Sequence, residues 1–358
     1  MQIRRAWLVL AGLVLGSAAA LHAHGSPAGS MRVAYLTTFA PREAQARIDA
    51  VAARVEARWP AASRPAGTAI AYRVFAFEAP LTGSRMDPVQ RRQAEERMAA
   101  ANRAAIAAML AWKPDVIFAP GALAAREAAR YTSTVPIVFG CKCNPLADGF
   151  GLVKDPARPE RNLTGFTRYH LGMLGGDREQ RLNLQRKRIE LLQLASTAPV
   201  RRIGAIYGDE YDEGKWRYVE SARALGVEWV RVRLDDASIE QLPDRIREER
   251  IDAAIVLADD FAEVFRGRLI KAAARTPVPV MFPWDEADAG GWMHYGTVVD
   301  VNDKAAEYLV NILQGRKVAQ YPVEFPKKME LVVNLRTARA HGWEYPRAFL
   351  RLVDRAVE

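Results

Sequence analysis

Short runs of apolar and β-branched residues recur along this chain. Each is followed by a longer stretch in which apolar positions return every three or four residues. The runs have the length and composition of buried strands, and the stretches have helical period. In the first half, Arg32-Val-Ala-Tyr-Leu36, residues 69–77, Asp115-Val-Ile-Phe-Ala119 and Val135-Pro-Ile-Val-Phe139 predict four strands. Between them, residues 41–59 place Ile48, Val51 and Val55 on one helical face. A second helix opens at Asp87-Pro88, an N-cap residue followed by proline at the first helical position. Pro120-Gly121 turns straight into a third, residues 122–131.

A polar passage rich in glycine and proline follows, ending in Asn162-Leu-Thr-Gly165, and the same rhythm then resumes. Residues 202–207, 227–234, 251–257, 278–282 and 330–334 predict strands. Residues 178–194, 214–225, 239–250 and 262–274 predict helices, joined by one that Asn302 is expected to cap and two short helices at the end. Strands alternating with helices of this length build parallel sheets covered on both faces. The pattern therefore predicts an α/β protein of two similar lobes, each a parallel sheet with helices on both faces, with a ligand cleft between. In such sheets ligands bind beyond the carboxyl ends of the strands.

The first residues do not fit this rhythm. Arg4-Arg5, an apolar run over 6–16 and Ala18-Ala19-Ala20 have the form of a secretory signal peptide, cleaved near Ala20. The run is too short for a membrane anchor. The mature protein is expected to be soluble and periplasmic. Removing this leader lowers the formal charge of +9 by two. The remaining basic residues are interspersed with acids, as in Arg91-Arg-Gln-Ala-Glu-Glu-Arg97 and Arg247-Glu-Glu-Arg250, the pattern of solvated helix faces. With an export signal present, nucleic acid is not an expected partner.

Candidate chemistry is sparse. The five histidines, His22, His24, His170, His294 and His341, form no metal-binding spacing, and neither a nucleophile elbow nor a phosphate-binding loop occurs. No metal, cofactor or catalytic residue is expected, and the chain is not read as an enzyme. Asp259-Asp260, after a buried strand, suits a ligand amine or a helix cap better than catalysis. Cys141-Lys-Cys143 contains the only two cysteines. Its spacing is poor for zinc, so two thiols, a structural bridge or a redox pair at the cleft rim all remain open. Tyr207, Tyr211, Trp284 and Tyr295 near strand ends can present aromatic faces to a small ligand. The Gly121-Ala122 turn can offer backbone N–H groups to an anion.

Several segments, in order, resemble the bacterial ABC-transporter substrate-binding protein family that includes tryptophan-binding members. They are Pro136-Ile-Val-Phe139, Asn144-Pro145, residues 149–159, Asn162-Leu-Thr-Gly165, Arg202-Ile-Gly-Ala-Ile-Tyr207, Ala224-Leu-Gly-Val227 and Ile251 through Asp259. Tyr295-Gly296, Ala305-Ala306, Ile312-Leu-Gln-Gly315 and Tyr321-Pro-Val-Glu324 continue the series. The tail Glu330-Leu-Val-Val-Asn-Leu-Arg-Thr-Ala-Arg-Ala-His-Gly342, followed by Pro346, is the most specific part. Departures from the family pattern include the cysteine pair, the acidic stretch over 209–215, Trp284-Asp-Glu286 and Trp292-Met-His294.

The resemblance implies a type I periplasmic-binding-protein architecture with three crossings between lobes. One lobe would comprise residues 31–165 plus 297–326, the other 166–296 plus 327–358. It implies a monomer that closes over a small solute, an amino acid or related compound, and presents it to an inner-membrane ABC permease. A sensory membrane protein is the alternative partner. The expected ligand-binding residues are Thr37, Thr38, Gly121, Ala122, Cys141 and Asn144 from the first lobe. Tyr207, Asp209, Asp259, Trp284 and Asp285 are expected from the second.

Overall fold

The computed structural model describes residues 29–38, 41–78, 87–143, 145–146, 151–159, 161–168, 178–208, 218–258 and 260–358. Two sheets organise them. The first contains β1 (Met31–Thr37), β2 (Ile70–Ala76), β3 (Val116–Ala119), β4 (Ile137–Cys141) and β5 (Leu163–Thr167), in the order β2-β1-β3-β4-β5, all parallel. Its helices are α1 (Pro41–Arg58), α2 (Pro88–Ala111) and α3 (Ala122–Tyr131). Ile48, Val51 and Val55 of α1 pack on one face, as their spacing predicts, and Ile106 and Met109 of α2 with the alanines of α3 pack on the other. Asp87 caps α2, accepting from the Val89 and Gln90 amides at 2.9 and 3.0 Å.

The second sheet holds β6 (Arg202–Tyr207), β7 (Glu228–Arg233), β8 (Ala253–Val256), β9 (Val280–Phe282), β10 (Met293–Thr297), β11 (Met329–Asn334) and β12 (Arg355–Val357), in the order β12-β11-β10-β9-β8-β6-β7. Its helices are α4 (Arg178–Ala195), α5 (Tyr218–Ala224), α6 (Leu242–Glu248), α7 (Asp260–Val264) and α8 (Arg266–Ala273). The parallel arrangement read from the sequence holds from β6 to β10, but β11 runs antiparallel to β10. A tight return after β10 is impossible here, because the chain first leaves for the other sheet. It forms α9 (Val301–Leu313), whose Tyr308, Leu309 and Ile312 pack with α1 against the first sheet. Only then does it come back as β11, followed by α10 (Leu335–Ala340) and α11 (Arg347–Leu350). The chain thus passes between the sheets after β5, after β10 and before β11.

Five elements differ from the sequence reading, one being β12, which the sequence reading did not include. Asp300, not Asn302, caps α9, accepting from the Asp303 amide at 3.0 Å. The helix expected over 262–274 is two helices, with a break at Phe265. The strand β10 arises from Met293-His-Tyr-Gly-Thr297, a run too polar to stand out. Strand β5 was hidden for the same reason: Thr164, Gly165 and Thr167 read as a loop, yet every residue of it is buried. Its polar atoms find partners inside, Thr164 Oγ1 donating to the Tyr321 carbonyl (2.8 Å) and Thr167 Oγ1 to the Cys143 carbonyl (2.7 Å). Gly165 lets β5 approach β4, since a Cβ there would lie 2.0 Å from the Phe139 carbonyl oxygen. Among the described residues no helix is long and apolar enough to cross a membrane.

Candidate ligand-binding site

The carboxyl ends of β1, β3, β4 and β5, adjacent in the first sheet, carry Thr37, Gly121, Cys141 and Arg168 in turn. Thr37 is fully buried and accepts the Phe77 amide on its carbonyl at 2.8 Å, whereas Thr38 is exposed. Gly121 caps α3 at a positive φ of 154°, and Ala122 is buried in the first turn. Cys141 and Cys143 are joined by a disulfide, which resolves the question their spacing left open. Around it the chain is tied to β5: the Cys141 carbonyl accepts the Arg168 amide at 2.7 Å, and the Cys143 carbonyl accepts Thr167 Oγ1. Lys142, between the two cysteines, is thereby aimed out of a pinned loop.

The second sheet answers with the segment after β9. Pro283-Trp-Asp-Glu286 turns away from the strand and is held from several sides. The Trp284 amide donates to Glu286 Oε2 at 3.0 Å, and the Ala287 amide donates to His294 Nδ1 at 3.3 Å. Asn334 donates to the Ala287 carbonyl at 2.9 Å. Gly296 on the neighbouring β10 gives the loop room, since a Cβ there would lie 2.4 Å from the Pro283 carbonyl oxygen. His294 is buried, and that burial lowers its pKa to about 4, so the ring is neutral and Nδ1 is free to accept.

The two ends meet. Lys142 Nζ stands 4.8 Å from the centroid of the Trp284 ring. Arg168 Nη1 donates to Asp285 Oδ2 at 2.9 Å, and Arg266 from α8 donates to Asp285 Oδ1 at 2.9 Å and to Glu286 Oε1 at 3.3 Å. Burial alone would raise the Asp285 carboxyl. The cations Arg168, Lys142 and Arg266, and the Arg168 hydrogen bond, outweigh it and hold that carboxyl below the usual carboxylate range. Thr297, at the end of β10, donates through Oγ1 to the Arg168 carbonyl, so two of the passages between sheets are bonded to each other here. Beneath lies a small cavity, about 10 Å³, lined by Arg168, Arg188, Pro283, Trp284 and Thr297 among others.

Of the expected residues, Trp284 and Asp285 belong to this cluster and Cys141 supports it. Trp284 lines the cavity, whereas Thr37, Thr38, Gly121, Ala122 and the half-buried Tyr207 do not. Asn144, Asp209 and Asp259 lie outside the described residues. The sequence reading missed Lys142, Arg168, Arg188, Arg266 and Thr297. Arg168 was recognisable in principle as the charged residue closing β5, had β5 been seen as a strand. Arg188 sits in Arg186-Lys187-Arg188, which reads as solvated surface, yet its side chain points inward.

The family described as ABC transporter substrate binding protein matches residues 86–357. No curated protein matches the sequence. Among solved structures, a conserved domain protein from Vibrio cholerae O1 biovar El Tor is 19% identical, with a TM-score of 0.63, 91% of this chain and 99% of that one being covered. The ABC domain from Streptococcus pneumonia in complex with L-Trp is 17% identical, with a TM-score of 0.62 and coverage of 92% and 100%. The ligand-free, open CD0873 from Clostridium difficile, a substrate-binding protein with adhesive properties, is 18% identical, with a TM-score of 0.55 and coverage of 92% and 100%. At these identities the structures share the fold with this chain, while the match over most of its length shows that the chain belongs to the ABC transporter substrate-binding protein family.

Proposed function

We propose that this protein captures a small solute between its two lobes and delivers it to an inner-membrane ABC permease. It acts as an exported, periplasmic monomer after removal of residues 1–20, and performs no chemistry of its own. The lobes are residues 31–165 with 297–326, and 166–296 with 327–358. The observation that carries this reading is the junction of strand ends from the two sheets, with Lys142 over Trp284 and Arg168 on Asp285. These contacts close a crevice at the carboxyl ends of both sheets, where open α/β folds bind ligands. A solute that bridges the lobes shifts the population toward closure by its differential affinity for that state.

Trp284 supplies a flat apolar face, and Asp285 is ionised beside three cations. The streptococcal protein binds L-Trp, which makes an amino acid or related compound the first class to test here. Thr37, Thr38, Gly121, Ala122, Asn144, Tyr207, Asp209 and Asp259 are assigned to the rest of the crevice by their positions after strands.

The test is thermal unfolding of the mature chain against amino acids, sugars, nucleosides and small carboxylates, followed by calorimetric titration of any hit. Ligands that bind only the native state raise the midpoint with concentration. A saturable hit whose affinity drops about tenfold or more in Trp284→Ala supports the site. A hit unaffected by Trp284→Ala and Asp285→Asn places the solute elsewhere.

A further inference from the structure

The cavity beneath Trp284 is lined by two buried guanidinium groups, and neither is fully compensated. The Arg168 side chain is 8% exposed. Its Nη1 is engaged with Asp285, but its Nε is buried with no hydrogen-bond partner. The whole of Arg188 is 4% exposed, and its four hydrogen bonds go to neutral oxygens: the Tyr295 carbonyl twice, the Pro283 carbonyl and the Tyr218 hydroxyl. An arginine cannot shed its proton to escape burial. A buried cation without a counter-ion is costly, and so is a buried donor left unmet. Among the described residues, Arg168 and Arg266 share the carboxylates Asp285 and Glu286, and the hydrogen bonds of Arg188 reach neither.

Resting on the solute-capture reading, we propose that the solute is an organic acid whose carboxylate is received by the unpartnered Nε edge of Arg168, next to Arg188, with its body against Trp284. A carboxylate there satisfies the orphaned donor and supplies the missing negative charge in one step. The Nε edge of a guanidinium also takes a carboxylate in two-pronged fashion. Asp285 keeps its place on Nη1 and is itself anchored by Arg266, so the incoming acid adds to the network rather than dismantling it. The room left in the closed arrangement is about that of one water, so the solute body must part Lys142 from Trp284 as it enters.

Matched acids and amides separate charge from shape. The mature chain is titrated with L-tryptophan and L-tryptophanamide, indole-3-acetate and indole-3-acetamide, and phenylacetate and phenylacetamide, alongside neutral sugars and aromatic amines. At least one acid is expected to bind at least tenfold more tightly than its amide, and Arg168→Gln to erase that preference, the acid losing at least tenfold more affinity than its amide. An amide that binds as well as its acid, or a preference that survives Arg168→Gln, overturns the inference. Binding of only the sugars or amines overturns it too, yet leaves solute capture standing. No binding by any member counts against both. Should Arg168→Gln fail to fold, the acid-to-amide ratio of the unmodified chain decides.

Discussion

Lys142 Nζ lies 4.8 Å from the centre of the Trp284 ring, joining the disulfide loop of the first sheet to the post-β9 loop of the second. Both partners are positioned from behind. Lys142 is framed by two cysteine carbonyls bonded to β5, and the Trp284 amide is fixed by Glu286. The pair is thus a contact between side chains carried on two loops whose backbones are hydrogen-bonded in place. With the Arg168–Asp285 ion pair it joins segments of the two sheets.

Removing the ammonium while keeping the stem isolates this contact. Lys142→Met is expected to weaken the closed arrangement of the free protein by about 0.5–2 kcal/mol, the range of a cation over an indole face. Small-angle scattering of the ligand-free chain checks this: the variant's radius of gyration should rise. An unchanged scattering curve would show that the contact does not hold the lobes together.

Gly296 is the second point of leverage. Alanine there would bring its Cβ to 2.4 Å from the Pro283 carbonyl oxygen and 2.9 Å from the Trp284 Cα, both backbone atoms that cannot rotate away. Gly296→Ala is expected to cost about 1–3 kcal/mol in urea unfolding, the scale of an overpacked core. It should also weaken binding of any solute that touches Trp284. Wild-type stability would mean that the Pro283–Glu286 loop is softer than its hydrogen bonds indicate.

The architecture was legible in the sequence because most strands are short apolar runs and most helices carry a clean stripe, as Ile48, Val51 and Val55 do. Strand β5 escaped because Thr164 and Thr167 hide their hydroxyls by bonding to carbonyls far away in sequence. The site was legible only in part, for the same kind of reason. Trp284 and Asp285 announce themselves as unusual residues after a strand. Arg168 and Arg188 look like two more basic residues in a basic chain, and only the tertiary packing turns them inward. No local pattern distinguishes a snorkelling arginine from a buried one.

The Cys141–Cys143 bridge closes a very short loop, so it removes little freedom from the unfolded chain, about 1.5 kcal/mol by loop-closure entropy. Reduction is therefore expected to lower stability only modestly. Its larger effect should fall on Lys142, whose placement depends on the two flanking carbonyls. Thiol titration in denaturant should detect two thiols only after reduction, and the reduced protein should bind its solute more weakly than its lost stability alone explains. Equal affinity in both redox states would make the bridge a purely local staple.

His294 sets a pH window. Its ring is buried, and its Nδ1 accepts the Ala287 amide, which a protonated ring cannot do. Burial brings its folded pKa down to about 4 from an ordinary value of 6.5. Between those values the unfolded chain binds a proton that the folded chain refuses, so stability is intact above about pH 6.5 and falls as the pH drops toward 4. The loss amounts to about 3.5 kcal/mol at most, at roughly 1.4 kcal/mol per unit. Asp285 acts in a lower window: its folded carboxyl is held below the usual range, so its contribution persists until the pH falls beneath that of an ordinary aspartate. His294→Asn, whose amide oxygen can accept from Ala287, should flatten the urea-unfolding free energy between pH 6.5 and 4 and leave the steeper loss below pH 4 in place. If the variant keeps the wild-type slope across that upper window, another group carries it, and the neutral histidine is not what holds the Trp284 loop to β10.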